Sequence, residues 1–195
     1  MERKKIFDIY VHDGNKCRYA LGKYDKDNIN DKKTLFCLGI NPSTATDEET
    51  DVTMTKLENI AFRKGRAKKI EFDERYNSFI MFNICPLIAT DPEKLPKNIN
   101  SVLETPSHKF NIALITAVIK DEAAIEKDTS ITILAAWGDL IYSRPWLMDC
   151  KNDIIQHIQK TKIIIKWVKM GELTTKKQPR HLSRITYTNF TEYEV

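Results

Sequence analysis

Thr34-Leu35-Phe36-Cys37-Leu38-Gly39-Ile40-Asn41-Pro42 is the most informative segment of this 195-residue chain. Residues 34–38 form a nearly continuous apolar run, which is typical of a strand buried on both faces of a parallel sheet. The next residues form a sharp polar turn, in which Gly39 permits close approach of a ligand, Asn41 presents an amide and Pro42 fixes the bend. Ligands of open α/β sheets bind at such strand ends. We therefore expect a site here, an ordinary strand-to-helix turn being the alternative.

Three more runs of this kind follow at residues 78–82, 131–136 and 162–168. Apolar residues at helical spacing lie between consecutive runs: Met54, Leu57 and Ala61; Phe110, Ala113, Leu114, Ala117 and Val118; Ile154, Ile155 and Ile158. Residues 86–108 contain four prolines and are predicted to form a long loop. Because parallel strands need crossover connections, this alternation predicts an α/β protein with three α/β/α layers and a four-stranded parallel sheet.

An N-terminal β-hairpin is predicted from two alternating segments, residues 6–11 and 16–22, which flank the turn-forming pair Asp13-Gly14. No stretch rich in proline, glycine or serine divides the chain. We therefore predict a single α/β domain over residues 1–195, with residues 1–30 as a hairpin extension.

The composition is that of an ordinary soluble protein, with 42% hydrophobic and 30% charged residues. No apolar run approaches the roughly 18 residues that a membrane span needs, and the first apolar run is too short for a signal peptide. We therefore expect a cytoplasmic protein with no membrane partner. The four cysteines, Cys17, Cys37, Cys85 and Cys150, are widely spaced and suggest reduced core thiols rather than a zinc site or a disulfide framework.

Basic charge is concentrated near the C-terminus although the net charge is only +4. Residues 160–184 contain eight lysines and arginines against the single acid Glu172, so this segment carries +7 and the rest of the chain −3. Such a segment favours contacts with phosphates, the alternative being a merely solvated face. The residues that we expect to contact nucleic acid are Lys176, Lys177, Arg180 and Arg184.

Polar residues also follow the other predicted strands. Asn83 ends the second run, Trp137 and Gly138 follow the third, and His181 lies beyond the fourth. Because the carboxyl ends of parallel strands share one edge, these residues are expected to meet Asn41 in one pocket. Singly, each has an alternative role as a strand-end cap, a core aromatic or a surface imidazole. The predicted substrate-binding residues are Gly39, Pro42, Ser43, Asn83, Trp137 and Gly138.

These motifs resemble, in their order, those of the uracil-DNA glycosylase superfamily. Residues 38–42 look like the water-activating loop of its mismatch-specific and thymine-DNA glycosylase branch, and residues 80–83 look like the strand whose asparagine reads the flipped base. Residues 136–138 are similar to the end of the third strand, and residues 180–183 to the histidine loop. The whole chain is also similar to an uncharacterised domain-of-unknown-function family of bacteria and phages, with motifs from Arg18 to His181.

The resemblance implies that Asn41 positions a water molecule, Asn83 reads a base edge and His181 donates a hydrogen bond to the departing base. Asp51 could supply the general base, with Asp47 and a helix-capping role for Asp51 as alternatives. The expected function is glycosylase-like hydrolysis of the N-glycosidic bond of an unusual or damaged base, without metal or cofactor. The alternative is a non-catalytic module that binds a modified base or free nucleotide. Expected partners are DNA, single-stranded DNA included, or a nucleotide, with no obligate protein partner.

Overall fold

The computed structural model describes residues 5–14, 16–25, 33–71, 75–125 and 130–195. The strands are β1 Ile9–Asp13, β2 Cys17–Tyr24, β3 Thr34–Gly39, β4 Ser78–Asn83, β5 Ser130–Ala135, β6 Ile164–Met170 and β7 Phe190–Glu192. The α-helices within these residues are α1 Val52–Ala61, α2 Pro106–Ile125 and α3 Pro145–Lys160. The chain is therefore of the α/β class, as predicted.

One mixed sheet of seven strands, in the order β1-β2-β4-β3-β5-β6-β7, runs through the described residues. The predicted strands form its centre, where β4, β3, β5 and β6 are mutually parallel. The prediction of a four-stranded parallel sheet is nevertheless wrong, because β2 pairs antiparallel with β4 at one side and β7 pairs antiparallel with β6 at the other. Antiparallel strands on both sides cover the edges that a four-stranded sheet would leave open.

The N-terminal hairpin is part of this sheet rather than an extension from it. Strand β2 is buried from Cys17 to Gly22 and aligns Ala20 with Phe82 of β4. Burial on both faces makes such a strand a central one. Residues 1–4, 15 and 26–30 of the predicted extension lie outside the described residues.

Helices cover both faces of the sheet. Met54, Leu57 and Ile60 of α1 pack in one apolar cluster, whereas α2 and α3 contribute to a second cluster on the other face. The apolar face predicted for α2 needs correction, since Phe110 is 48% exposed and the buried positions are His108, Asn111, Ile112, Ile115, Ile119 and Glu122. Three polar residues on the buried face, His108, Asn111 and Glu122, hid this face from a hydrophobicity pattern.

All four cysteines are buried and free, as predicted. Burial raises the pKa of the Cys85 and Cys150 thiols to about 12, so both stay protonated at neutral pH. No helix in the described ranges is long and apolar enough to cross a membrane.

Candidate functional site

A cleft of about 830 Å³ lies at the carboxyl ends of β3, β4 and β5, bordered by the segment that follows β6. Its volume is in the range of small-molecule and cofactor sites. The structure brings together at this cleft the predicted residues Asn41, Ser43, Asp51, Asn83, Gly138, Lys176, Arg180, His181 and Arg184. The predicted residues that do not line it are Gly39, Pro42, Trp137 and Lys177.

The Asn41 side chain is held in one orientation by two hydrogen bonds. Its Nδ2 donates to the carbonyl oxygens of Pro42 at 2.9 Å and Ala89 at 2.8 Å. The buried Pro42 completes this arrangement, since its carbonyl also accepts from the Ala89 amide at 3.0 Å. Both amide hydrogens of Asn41 are thereby used, and Oδ1 remains as an acceptor for a ligand or water.

Asn83, the last residue of β4, carries a buried polar atom without a partner. Its side chain is 1% exposed, and Oδ1 accepts no hydrogen bond from the described residues. Its backbone oxygen is separately held by Asn111 Nδ2 at 2.9 Å. Gly39 lies opposite Asn83 in the parallel register, and a Cβ atom there would be 3.1 Å from Asn83 Oδ1 and would overlap the Met81 side chain. Gly39 therefore contributes by leaving room for the asparagine, not by lining the cleft.

His181 has its tautomer set by a backbone donor. The Ser183 amide donates to His181 Nδ1 at 3.3 Å, and Ser183 Oγ lies 2.8 Å from the same nitrogen. An amide N–H can only donate, so Nδ1 is the acceptor and the neutral ring carries its proton on Nε2. His181 is thus prepared to donate one hydrogen bond from Nε2.

Electrostatics keep this imidazole neutral. Burial lowers the pKa of His181 below its usual 6.5, and nearby Arg184 and Lys56 lower it further, while Asp51 acts in the opposite sense. Lys56 Nζ also fixes the loop by donating to the carbonyls of Ser183 at 3.0 Å and Ile185 at 2.7 Å. Helix α1 therefore anchors the histidine loop directly.

Gly138 brings the end of β5 against this histidine. Its backbone has φ 68° and ψ −174°, a combination that essentially only glycine adopts. Its amide donates to Pro179 O at 2.9 Å, and a Cβ atom would lie 3.3 Å from His181 Cβ. Substituting any other residue for Gly138 would therefore strain the turn and press on the backbone and Cβ of His181.

Asp51 has a structural role as the N-cap of α1. Its Oδ1 accepts from the Met54 amide at 2.8 Å, whereas Oδ2 has no hydrogen-bond partner among the described residues. Its charge acts on both His181 and Arg18. One carboxylate oxygen therefore caps the helix while the residue also lines the cleft. Asp47, the alternative base, is absent from the cleft lining and pairs instead with Lys5 at 3.0 Å.

Trp137 belongs to the core rather than to the cleft, since it is fully buried. Its Nε1 donates to Gln178 Oε1 at 2.8 Å, and Gln178 Nε2 donates to the Tyr142 hydroxyl at 2.8 Å. The Tyr142 ring is 46% exposed and lines the cleft, with Lys176 Nζ 5.4 Å from its centroid. The aromatic ring available to stack on a base is therefore that of Tyr142, which Trp137 supports through Gln178.

Sequence reasoning also missed Arg18 as a site residue. This residue is 3% exposed and lines the cleft from β2. A lone charged residue inside the apolar segment Cys17-Arg18-Tyr19-Ala20-Leu21 was the available signal. Tyr142 carried no comparable signal, because it lies in a 3-10 turn after β5 that the pattern of apolar residues does not define.

In the described part of the chain, no group of three or more His, Cys, Asp or Glu side chains is placed to hold a metal ion.

The comparisons with known proteins add a family but no activity. Neither the curated proteins nor the solved structures include a match to the chain, and nothing found links it to the uracil-DNA glycosylases. The model of the family described as "Protein of unknown function (DUF1643)" matches residues 18–181, and the chain therefore belongs to that family.

Proposed function

We propose that this protein is a DNA glycosylase-like hydrolase that cleaves the N-glycosidic bond of an unusual or damaged base in nucleic acid. Such a reaction makes an electron-poor sugar and an anionic base. It therefore needs a group that reads the base, a positioned water, and a hydrogen-bond donor aimed at the developing negative charge.

The observation that carries the proposal is the buried, unpartnered Oδ1 of Asn83 in the cleft. Leaving a buried acceptor unpaired costs about 1–3 kcal/mol, and Asn83 differs from Ser78, Asn111 and Thr116, which also have such atoms, in lining a cleft where a ligand supplies the missing donor. A pyrimidine edge offers an N–H donor beside a carbonyl acceptor, which complements an asparagine amide. Tyr142 supplies a ring on which such a base can stack.

The catalytic roles follow from the atoms left available at the cleft. Asn41 holds the attacking water through Oδ1, because its two amide hydrogens are bound to backbone carbonyls. Asp51 takes the proton of that water through Oδ2, since Oδ1 caps α1. His181 donates from Nε2 to the departing base, as a neutral imidazole with Nδ1 held by the Ser183 amide. Lys176, Arg180 and Arg184 line the same cleft and contact the phosphates of the nucleic acid.

A second candidate is a module that binds a modified base or free nucleotide without cleaving it. The helix cap favours this alternative, since capping alone explains why an aspartate occupies position 51. Turnover separates the two functions, because both need the Asn83 pocket but only the hydrolase releases a base.

The test is base release by the full chain from oligonucleotides that each contain one uracil, 5-hydroxymethyluracil, thymine glycol or hypoxanthine, single-stranded and duplex. Mass spectrometry detects the free base and alkaline cleavage detects the abasic site. We expect release from at least one substrate, and His181→Ala should slow it by about 100-fold or more, as loss of an oxyanion donor does.

The matched control is His157→Ala, which removes an imidazole of α3 that does not line the cleft and should leave the rate unchanged. Equal rates for wild type and His181→Ala would exclude the proposed role of His181. Binding of the oligonucleotides without release of any base would favour the non-catalytic module.

A further inference from the structure

Arg18 is a buried cation that forms no ion pair within the described residues. Its side chain is 3% exposed, and the one hydrogen bond of its guanidinium within the described residues goes from Nη1 to the carbonyl of Ala45. Nε is enclosed and has no partner there. Asp51 acts on Arg18 electrostatically, but no carboxylate of the described chain forms an ion pair with it. Buried charges are normally paired, since an unpaired one costs several kcal/mol.

A β-bulge turns this side chain toward the cleft. In the pairing of β1 with β2, Val11 aligns with Ala20 and His12 with Arg18, so Tyr19 is the extra residue. An extra residue reverses the alternation of side chains, and bulges are frequent beside functional sites for this reason. Arg18 accordingly lines the cleft, whereas the Tyr19 ring packs edge-on against Phe110 of α2.

The surroundings of Arg18 also favour an anion. The first residues of α1, Val52, Thr53 and Met54, line the same cleft, and a helix N-terminus carries partial positive charge. Lys176, Arg180 and Arg184 are the other basic residues of the lining, against the two carboxylates of Asp51 and Asp139. Four basic side chains against two acidic ones leave the lining with a charge of +2.

We propose that Arg18 binds a phosphate group of the substrate, with the α1 N-terminus as a second contact. A guanidinium matches the oxygens of phosphate in paired hydrogen bonds, and the Nη2 group of Arg18 supplies a donor that is unused within the described residues and, unlike Nε, is not enclosed. The inference rests on the proposed function only in assigning this phosphate to the nucleotide whose base enters the Asn83 pocket. The phosphate is either the monoester of a free nucleotide or a diester of a nucleic acid strand.

The experiment titrates inorganic phosphate into the ¹⁵N-labelled full chain and follows the arginine Nε–H signals by NMR. The Arg18 signal is assigned by its absence in Arg18→Lys. We expect it to shift with phosphate and to saturate. Arg18→Gln should weaken phosphate binding roughly 30-fold or more, as truncating one partner of a buried charge pair does. Arg18→Lys keeps the charge without the paired donors, so its phosphate affinity should lie between those of the wild type and Arg18→Gln.

The matched control is Lys120→Gln, which removes an exposed positive charge of α2 from outside the cleft lining and should bind phosphate as the wild type does. An Arg18 signal that does not move in the wild-type protein would overturn the proposal even if Arg18→Gln failed to fold. Equal phosphate affinity in wild type and Arg18→Gln would also overturn it.

Two competitors identify the source of the phosphate. Displacement of inorganic phosphate by thymidine 5′-monophosphate indicates a monoester site, and displacement by a thymidine trinucleotide with internal phosphates only indicates a strand. Phosphate binding that needs Arg18, with no base release from any oligonucleotide, would refute hydrolysis and leave the phosphate site standing. Base release without Arg18-dependent phosphate binding would refute the phosphate site alone.

Discussion

Substitution of Gly138 by alanine tests how the end of β5 positions His181. The backbone at Gly138, with φ 68° and ψ −174°, lies in a region that costs a residue with a side chain about 1–3 kcal/mol. The new methyl group would also lie 3.3 Å from His181 Cβ and 3.4 Å from its backbone nitrogen, so the histidine must shift by a few tenths of an ångström. We expect the unfolding free energy to fall by about 3 kcal/mol in total.

Gly65 provides a matched control in the same chain. It also has a positive φ, 53°, but no atom lies within 4 Å of its added Cβ. Residues with side chains adopt similar φ values at Arg63, Ser101, Lys162 and Lys177, from 50° to 62°. Gly65→Ala should therefore cost only about 1 kcal/mol. The difference of about 2 kcal/mol corresponds to a melting temperature roughly 4–8 °C lower for Gly138→Ala than for Gly65→Ala in a chain of this size.

The assay is urea and thermal unfolding of both variants, followed by base release from the substrate identified for the wild type. Gly138→Ala should lose activity at temperatures where it remains folded, because the imidazole is displaced, whereas Gly65→Ala should keep it. Equal stability of the two variants would refute the argument from backbone and contact geometry. Full activity of a destabilised Gly138→Ala would show that the contact does not position His181.

Three further predictions concern the cleft and the basic residues at and beside it. Replacing Lys176, Lys177 and Arg180 by glutamate should weaken binding of single-stranded DNA with little change in melting temperature. The slope of log affinity against log salt should become shallower by about 0.7 for each phosphate that is no longer neutralised. An unchanged slope in a salt titration would contradict this. Asn83→Leu should abolish base binding yet raise the unfolding free energy by about 1–3 kcal/mol, because it removes a buried unpaired oxygen. A lower stability in chemical denaturation would show that this oxygen does not destabilise the protein. The rate of base release should be constant from about pH 7 to 8 and fall only below about 6.5, because the pKa of His181 is lowered and the neutral imidazole donates from Nε2. A rate that rises on acidification would exclude the neutral imidazole as the donor.

The same pKa shift has a consequence for stability. Because burial lowers the pKa of His181 in the folded state, the unfolded chain binds the proton first as the pH falls below about 6.5. The unfolding free energy therefore decreases between about pH 6.5 and the lower folded pKa, and is unaffected by this group above that window. His181→Ala should show a shallower decrease in pH-dependent denaturation over the same range.

The central strands could be predicted from the sequence, because residues buried on both faces leave continuous apolar runs such as residues 34–38. The antiparallel strands at the sides could not be placed in the same way. Strand β7 is only three residues long, Phe190–Glu192, and its pairing with β6 depends on tertiary contacts. The hairpin was predicted, but its alternating pattern does not say that β2 pairs with β4.

Some residues of the candidate site could likewise be predicted from the sequence, and others could not. Asn41 follows β3 and Asn83 ends β4, and parallel topology brings such positions to one edge. His181 lies in a longer segment after β6, which reaches the cleft through the Gly138–Pro179 and Lys56 hydrogen bonds. Trp137 also follows a strand end, but its side chain is fully buried, because position in the chain does not fix the direction of a side chain. Arg18 reaches the cleft through a bulge at Tyr19 that no residue pattern indicates.

A crystal structure of His181→Ala with a single-stranded oligonucleotide that contains the substrate base would show whether the cleft binds that base. We expect the base to lie in the cleft with its polar edge about 3 Å from the Asn83 amide and its ring against Tyr142. We also expect a water molecule on Asn41 Oδ1, on the side of the glycosidic bond opposite the base. A base bound outside the cleft, or a cleft in which Asn83 contacts only solvent while the strand is bound, would contradict the account.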